Sequence, residues 1–251
     1  MAKSKALNDK RLTRKQVLEI IRTEGRFHDE YSSVFKETYA DGYVKQDKVY
    51  ELPGDRFLFV FDEKDPSLPG KGDIYSKEYF DRFIKWSLRI EEDAILGRAS
   101  SVDHWRYYSK FKAEILEHID ELLVGLSERL LIAPELLNKS YASLDLVSKA
   151  CEECGVENVI NDLYDHLVVY VGEVIKSRVS GHFMINEMNS GGRYPYVAID
   201  IKKIQYMPVN VVWTCLGGLE PVNLRKAAAD EVRLVAPRVK YEKRFGEKKI
   251  L

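Results

Sequence analysis

The sequence predicts an α+β protein, on three observations. The clearest β signal is Val49-Tyr50-Glu51-Leu52, then Pro53-Gly54, then Phe57-Leu58-Phe59-Val60-Phe61. Proline presets φ and glycine accepts positive φ, so this dipeptide suits the centre of a type II turn between two strands. From Ser76 onward the apolar residues change to helical spacing for about 100 residues. Beyond that, residues 182–189 and 196–202 alternate as strands do, joined by Asn189-Ser190-Gly191-Gly192 as a hairpin loop.

Taken in order, Thr13 caps a first helix whose stripe is Val17, Leu18, Ile20 and Ile21, and Gly25 ends it. Residues 27–39 suit a second short helix closed by Gly42, and the hairpin around Pro53-Gly54 follows. Ser76 caps a helix reaching about Gly97, with Tyr79, Phe80, Phe83, Ile84, Leu88 and Ile95 on its apolar side. A second long helix spans 102–131, with Phe111, Ile115, Ile119, Leu122, Leu126 and Leu130 as its stripe and Pro134 beyond its end. Helices at 144–153 and 156–177 are separated by Gly155. In the second of the later strands Val197, Ile199 and Ile201 point inward and Ala198, Asp200 and Lys202 outward. Pro208 opens an apolar segment, strand or buried helix. Pro221 introduces a last helix over 222–235, which Pro237 stops.

Hydrophobic residues make up 45% of the 251 and charged residues 31%, a balance that permits a sizeable core and argues against overall disorder. The Pro- and Gly-rich loop at 65–73 is the best boundary. It divides the chain into an N-terminal helix-and-hairpin region that opens with a basic, solvated tail (1–73) and a helical and α+β main body (74–237), with a second basic tail at 238–251. A single domain overall is the other option.

The net charge of −1 conceals an uneven distribution. Residues 1–16 carry six Lys and Arg against Asp9, and residues 238–251 carry six against Glu242 and Glu247. The remainder holds 27 basic and 37 acidic residues. Such an acidic body repels a phosphate backbone, so nucleic-acid binding is not expected, except as an alternative acting through the basic tails. Cys151, Cys154 and Cys215 are too few for a disulfide framework. The longest uncharged stretch, 204–219, is shorter than the roughly 20 apolar residues a membrane span needs, and Pro208 and Gly217-Gly218 interrupt it. No signal-peptide pattern opens the chain, and the expected location is cytoplasmic, away from membranes.

Motifs for chemistry are sparse. Glu114 and Glu117 precede His118, and Asp162 and Asp165 precede His166, each with a carboxylate four residues before the histidine. Such spacing puts both groups on one helical face, yet it misses the Glu-x-x-His pattern of di-iron bundles, and no metal or other cofactor is expected. Cys151-Glu-Glu-Cys154 lacks a second pair for zinc, and it closes a helix rather than opening one, where a thiolate would be stabilised. There is no Gly-x-Ser-x-Gly, Walker-type or Gly-x-Gly-x-x-Gly motif, so no catalytic residue is assigned. Pro69-Gly70-Lys71-Gly72-Asp73 reads as a surface turn. Trp105, Tyr107, Tyr108 and Phe111, interleaved with Arg106, Lys110 and Lys112, contain the ingredients of a stacking platform but read better as core with an amphipathic rim.

The helix ending Tyr170-Val171-Gly172-Glu173-Val174-Ile175, followed by Gly181, a strand, Pro195-Tyr196-Val197 and Pro208, resembles bacterial domains of unknown function. In these, a helix closing on Gly-Glu-Val leads into a small sheet. The resemblance covers about residues 160–210, and Phe183 stands where tryptophan is expected. Some such domains are suspected of belonging to toxin–immunity systems; the resemblance carries no functional residues. Gly172 is positioned for close helix-to-sheet packing.

These observations predict a bacterial protein–protein interaction module, not an enzyme, with an immunity-type inhibitor as one form it could take. Its acidic face would be Glu114, Glu117, Asp120, Glu121 and Glu128, recognising a basic partner by complementary charge. The alternative is an enzyme or small-ligand site at the junction of the 156–177 helix and the C-terminal sheet, built from Asp162, His166, Glu173 and His182.

Overall fold

The Thr13 hydroxyl accepts from the backbone N–H of Gln16 at 3.4 Å, while the Gln16 side chain accepts from the Thr13 N–H at 2.9 Å. This reciprocal cap, worth about 1 kcal/mol, starts α1 (Arg14–Thr23) in a computed structural model that describes residues 6–8, 10–187, 193–201 and 204–245. The chain divides into two compact units, one ending at Ile95 and the other beginning at Leu96.

In the first unit, β1 (Arg26–Phe27) leads into α2 (Asp29–Val34), which His28 caps through its ring nitrogen at 3.3 Å from the Tyr31 N–H. A small hairpin follows, β2 (Lys36–Thr38) with β3 (Val44–Gln46), where the sequence suggested helix through residue 39. Then come β4 (Lys48–Leu52), β5 (Arg56–Val60), β6 (Gly72–Ser76) and α3 (Lys77–Ile95). The antiparallel sheet runs β1-β4-β5-β6. Gly54 has φ +77° at the expected turn, which extends by one residue because Asp55 also adopts a left-handed conformation.

The run Phe57-Leu58-Phe59-Val60 does not alternate in polarity because both faces of β5 are covered. Leu58 and Val60 pack with Val17 of α1 and Leu52, whereas Phe57 and Phe59 pack with Val49, Tyr75, Phe80 and Ile84. The Phe57 and Phe80 rings stack at 5.2 Å, one of several aromatic pairs each adding about 1 kcal/mol. This sheet corrects two sequence expectations. The 65–73 loop does not end the first unit, because β6 pairs along β5 and α3 packs on that sheet. Nor are the described residues before α1 a free tail: the Leu7 N–H donates to Ile74 at 2.7 Å, Leu12 bridges Gly72, and Arg11 pairs with buried Asp73 at 2.8 Å.

The second unit contains α4 (Ser101–Tyr108), a 3-10 helix (Lys112–His118), α5 (Ile119–Arg129), a short 3-10 turn (Pro134–Leu136), α6 (Tyr141–Cys154), α7 (Val156–Asp162) and α8 (Tyr164–Val179). It continues with β7 (His182–Glu187), β8 (Arg193–Ala198), β9 (Gln205–Tyr206), α9 (Pro208–Leu216) and α10 (Leu224–Phe245). The architecture is α+β. From Leu167 to Ile175, α8 is buried on every side, as a helix at the centre of a core must be. Phe183 of β7 lies end-on against the Gly172 α-carbon, with Pro208 beside it: a methyl group there would stand 3.2 Å from Pro208 Cγ. The absent side chain is what lets sheet and helix approach.

The expected helix over 102–131 is broken. Buried Asp165 accepts from the backbone N–H groups of Lys110 and Phe111, and Lys112 takes a left-handed φ of 52°, so the chain leaves α4 and re-enters as a 3-10 turn. The 156–177 helix likewise divides at Leu163. Strand β8 ends at Ala198 rather than running to 202, because β9 folds back to pair with Val197 and Ala198. The loop Asn189-Ser190-Gly191-Gly192, and Lys202 with it, lies outside the described residues. Pro208 opens a buried helix, resolving that ambiguity. Finally, α10 continues through Pro237, since Val232, Val235 and Val239 pack on the core from both sides of it. Residues 238–245 of the expected tail are therefore helical; 246–251 lie outside the described residues, as do 1–5.

Candidate functional site

Leu122, Leu126 and Leu130 are buried and fasten α5 to the core. That anchoring turns the other side of the 3-10 helix and α5 to solvent, and Glu114, Glu117, Asp120, Glu121 and Glu128 are all exposed there. Glu114 and Glu117 stand on the 3-10 helix, the other three on α5. Over residues 113–138 the chain carries six carboxylates, with Glu135 the sixth, against one cation, Arg129. Glu121 pairs with His118 at 2.9 Å, while Glu114, Glu117, Asp120, Glu128 and Glu135 form no salt bridge among the described residues.

Two apolar side chains missed by the sequence reading sit within this ridge. Val124 is 58% exposed, and Leu131, just past the end of α5 in a left-handed conformation, is 92% exposed. Val124 falls outside the buried stripe, which is the signal that could have identified it. Apolar groups framed by unneutralised carboxylates make a surface of the composition that protein interfaces use, an apolar centre inside a polar rim.

The alternative residues are not brought together. Asp162 is exposed, 3.6 Å from Lys110, and His182 is exposed at the start of β7. His166 is half-buried over Gly125, where an added methyl group would stand 2.9 Å from its Nε2. Burial, with Arg129 nearby, lowers its pKa and favours the neutral ring. Glu173, seven residues or about 10 Å along α8 from His166, is buried and held by Lys139 at 2.7 Å and by Lys176. Burial alone would raise the Glu173 pKa, but the two lysine hydrogen bonds outweigh it and the carboxyl is held below its usual range.

The paired motifs do not converge either. Four residues along a 3-10 helix turn Glu114 and His118 about 120° apart, and the break at Leu163 separates Asp162 from His166. Among the described residues, no three His, Cys, Asp or Glu side chains converge as metal ligands. Trp105 is fully buried, its indole N–H donating to the Arg193 carbonyl at 2.8 Å, and Tyr108 lies between Tyr164 and Trp213. Only Tyr107 of this aromatic group is exposed, with the Arg98 guanidinium 4.1 Å above its ring. The stacking ingredients are thus mostly core.

A groove of about 350 Å³ lies between α9 and α10, lined by Val211, Thr214, Cys215, Ala227, Glu231 and Leu234 among others. Burial raises the Glu231 pKa, while the carboxyl accepts the Met207 N–H at 2.8 Å. Burial also pushes the Cys215 thiol up to about 11 and Cys151 up to about 12, so neither is a ready nucleophile. No helix among the described residues is long and apolar enough to cross a membrane.

Comparison with protein-family models, curated proteins and solved structures finds no match to the chain.

Proposed function

We propose that this protein is a protein–protein interaction module whose acidic ridge engages a basic surface, with an immunity-type inhibitor as one form of that role. The observation that carries the reading is the pairing of exposed Glu114, Glu117, Asp120, Glu128 and Glu135, which form no salt bridge among the described residues, with the exposed Val124 and Leu131. Crowded like charges repel one another in the isolated molecule, and a cationic partner relieves that repulsion while accelerating encounter. The two apolar groups supply the contact that charge alone does not, because exposed ion pairs are individually worth no more than about 1 kcal/mol.

The test reverses Glu117, Asp120 and Glu128 to lysine and compares wild type and variant as bait in cell lysate at about 50 mM and about 0.3 M salt, bracketing the screening range. The expected result is a basic protein retained by wild type at low salt and lost by the variant, then reproduced with purified components. Equal retention by both baits removes the ridge from the account.

A further inference from the structure

We infer that the acidic ridge also fits a second copy of this chain, through a basic stripe on α10, so that copies associate head to tail. This rests on the ridge being an interaction surface, and it names one partner for it. Along one side of α10, Leu234 at the edge of the groove beside α9 is 77% and Tyr241 58% exposed, and Phe245 lies one turn further on with its ring 5.0 Å from that of Tyr241. Residues 233–245 carry Arg233, Arg238, Lys240, Lys243 and Arg244 against Glu242 alone. Arg233 is paired with Asp230 at 2.8 Å, whereas Arg238, Lys240, Lys243 and Arg244 form no salt bridge among the described residues.

The two surfaces are complementary in charge. Val124 lies on α5 and Leu131 just past its end, while Leu234 and Tyr241 stand two helical turns, about 10 Å, apart on α10, so each surface presents two exposed apolar groups. Carboxylates frame the first pair and cations the second. Both surfaces are exposed within the same unit, so neither is already covered by that unit. Because the two patches differ, the contact is heterologous, and each copy joined leaves one ridge and one stripe open for the next.

Sedimentation of the 251-residue chain tests this across a concentration series at about 50 mM and about 0.5 M salt, where screening shortens the Debye length severalfold. Wild type is expected to gain mass with concentration at low salt and return to monomer at high salt. E117K/E128K and R238E/R244E, all at exposed positions, should each stay monomeric with unchanged circular dichroism. Their equimolar mixture should regain mass, since the reversed ridge of one now complements the reversed stripe of the other. A wild type that is monomeric throughout overturns the inference, and so does a mixture that fails to associate. Capture of monomeric wild type by phosphatidylserine vesicles, lost in R238E/R244E, reassigns the stripe to lipid and overturns it too. A monomer whose ridge still retains a basic protein from lysate removes the second copy as partner and leaves the functional reading standing; a ridge that retains none fails both.

Discussion

The carboxylate of Asp165, at the start of α8, accepts the backbone N–H of Lys110 at 2.7 Å, 55 residues earlier in the chain. It also accepts from Phe111 at 3.3 Å through the same oxygen, Oδ2, while Oδ1 is buried without a protein hydrogen-bond partner among the described residues. One side chain thereby ends α4 and fixes where the acidic 3-10 helix begins.

Replacing Asp165 with alanine removes the acceptor and strands two backbone donors. A loss of about 1–3 kcal/mol is expected, the cost of leaving buried polar groups unsatisfied, measured as a lower urea midpoint. D165N, which keeps one oxygen, should lose less. If both variants unfold at the wild-type midpoint, the bond does not hold the bend.

Gly172→Ala places a methyl group against the end of the Phe183 ring. Overpacking of this kind costs about 1–3 kcal/mol. Phe183→Leu should recover part of that loss in the double variant, a coupling that denaturant unfolding of all four proteins would expose. Independent, additive effects would show that ring and glycine do not meet.

Acid should remove the stabilisation that Glu173 supplies. Its folded pKa lies below the ordinary glutamate value of 4.5, so its contribution is fully present above that pH and is lost as pH falls beneath it. Glu231 has the opposite sign: its raised pKa favours the folded state at low pH, and that advantage disappears as pH rises through the folded value. E173Q should therefore flatten the acid side of the stability profile. E231Q keeps an acceptor for Met207 and should raise the melting temperature at pH 7 more than at pH 4. Parallel profiles for wild type and both variants would contradict these assignments.

Thiol labelling should distinguish the three cysteines. Cys154 is exposed, while burial holds the Cys151 and Cys215 thiols protonated well above neutral pH. Iodoacetamide at pH 8 is expected to modify Cys154 alone in the folded protein and all three after denaturation, as read by peptide mass. Early labelling at Cys151 would mean that the α6 core opens readily.

Local signals reported much of this fold. The Thr13 cap, the Pro53-Gly54 turn, Gly155 between helices and the close approach at Gly172 all depend on residues near in sequence or on missing side chains. The broken 102–131 helix was not legible, because the apolar stripe from Phe111 to Leu130 continues past a break imposed by Asp165, more than fifty residues away. Continuation through Pro237 was hidden for a similar reason: Val232, Val235 and Val239 grip the core on both sides of it. Of the ridge, the carboxylates could be read from the sequence. Val124 could have been read from its place outside the stripe, whereas Leu131 resembles any core aliphatic until the structure shows that the chain leaves α5 before it.

The placement of the indoles gives the molecule a built-in optical division. Trp86 lies on α3 in the first unit, and Trp105 and Trp213 lie in the second, with Trp105 sealed from solvent and bonded to a carbonyl. With Trp86 replaced by phenylalanine, all remaining tryptophan emission comes from the second unit. Its red shift on unfolding then follows the elements that carry the ridge, undisturbed by light from the N-terminal sheet.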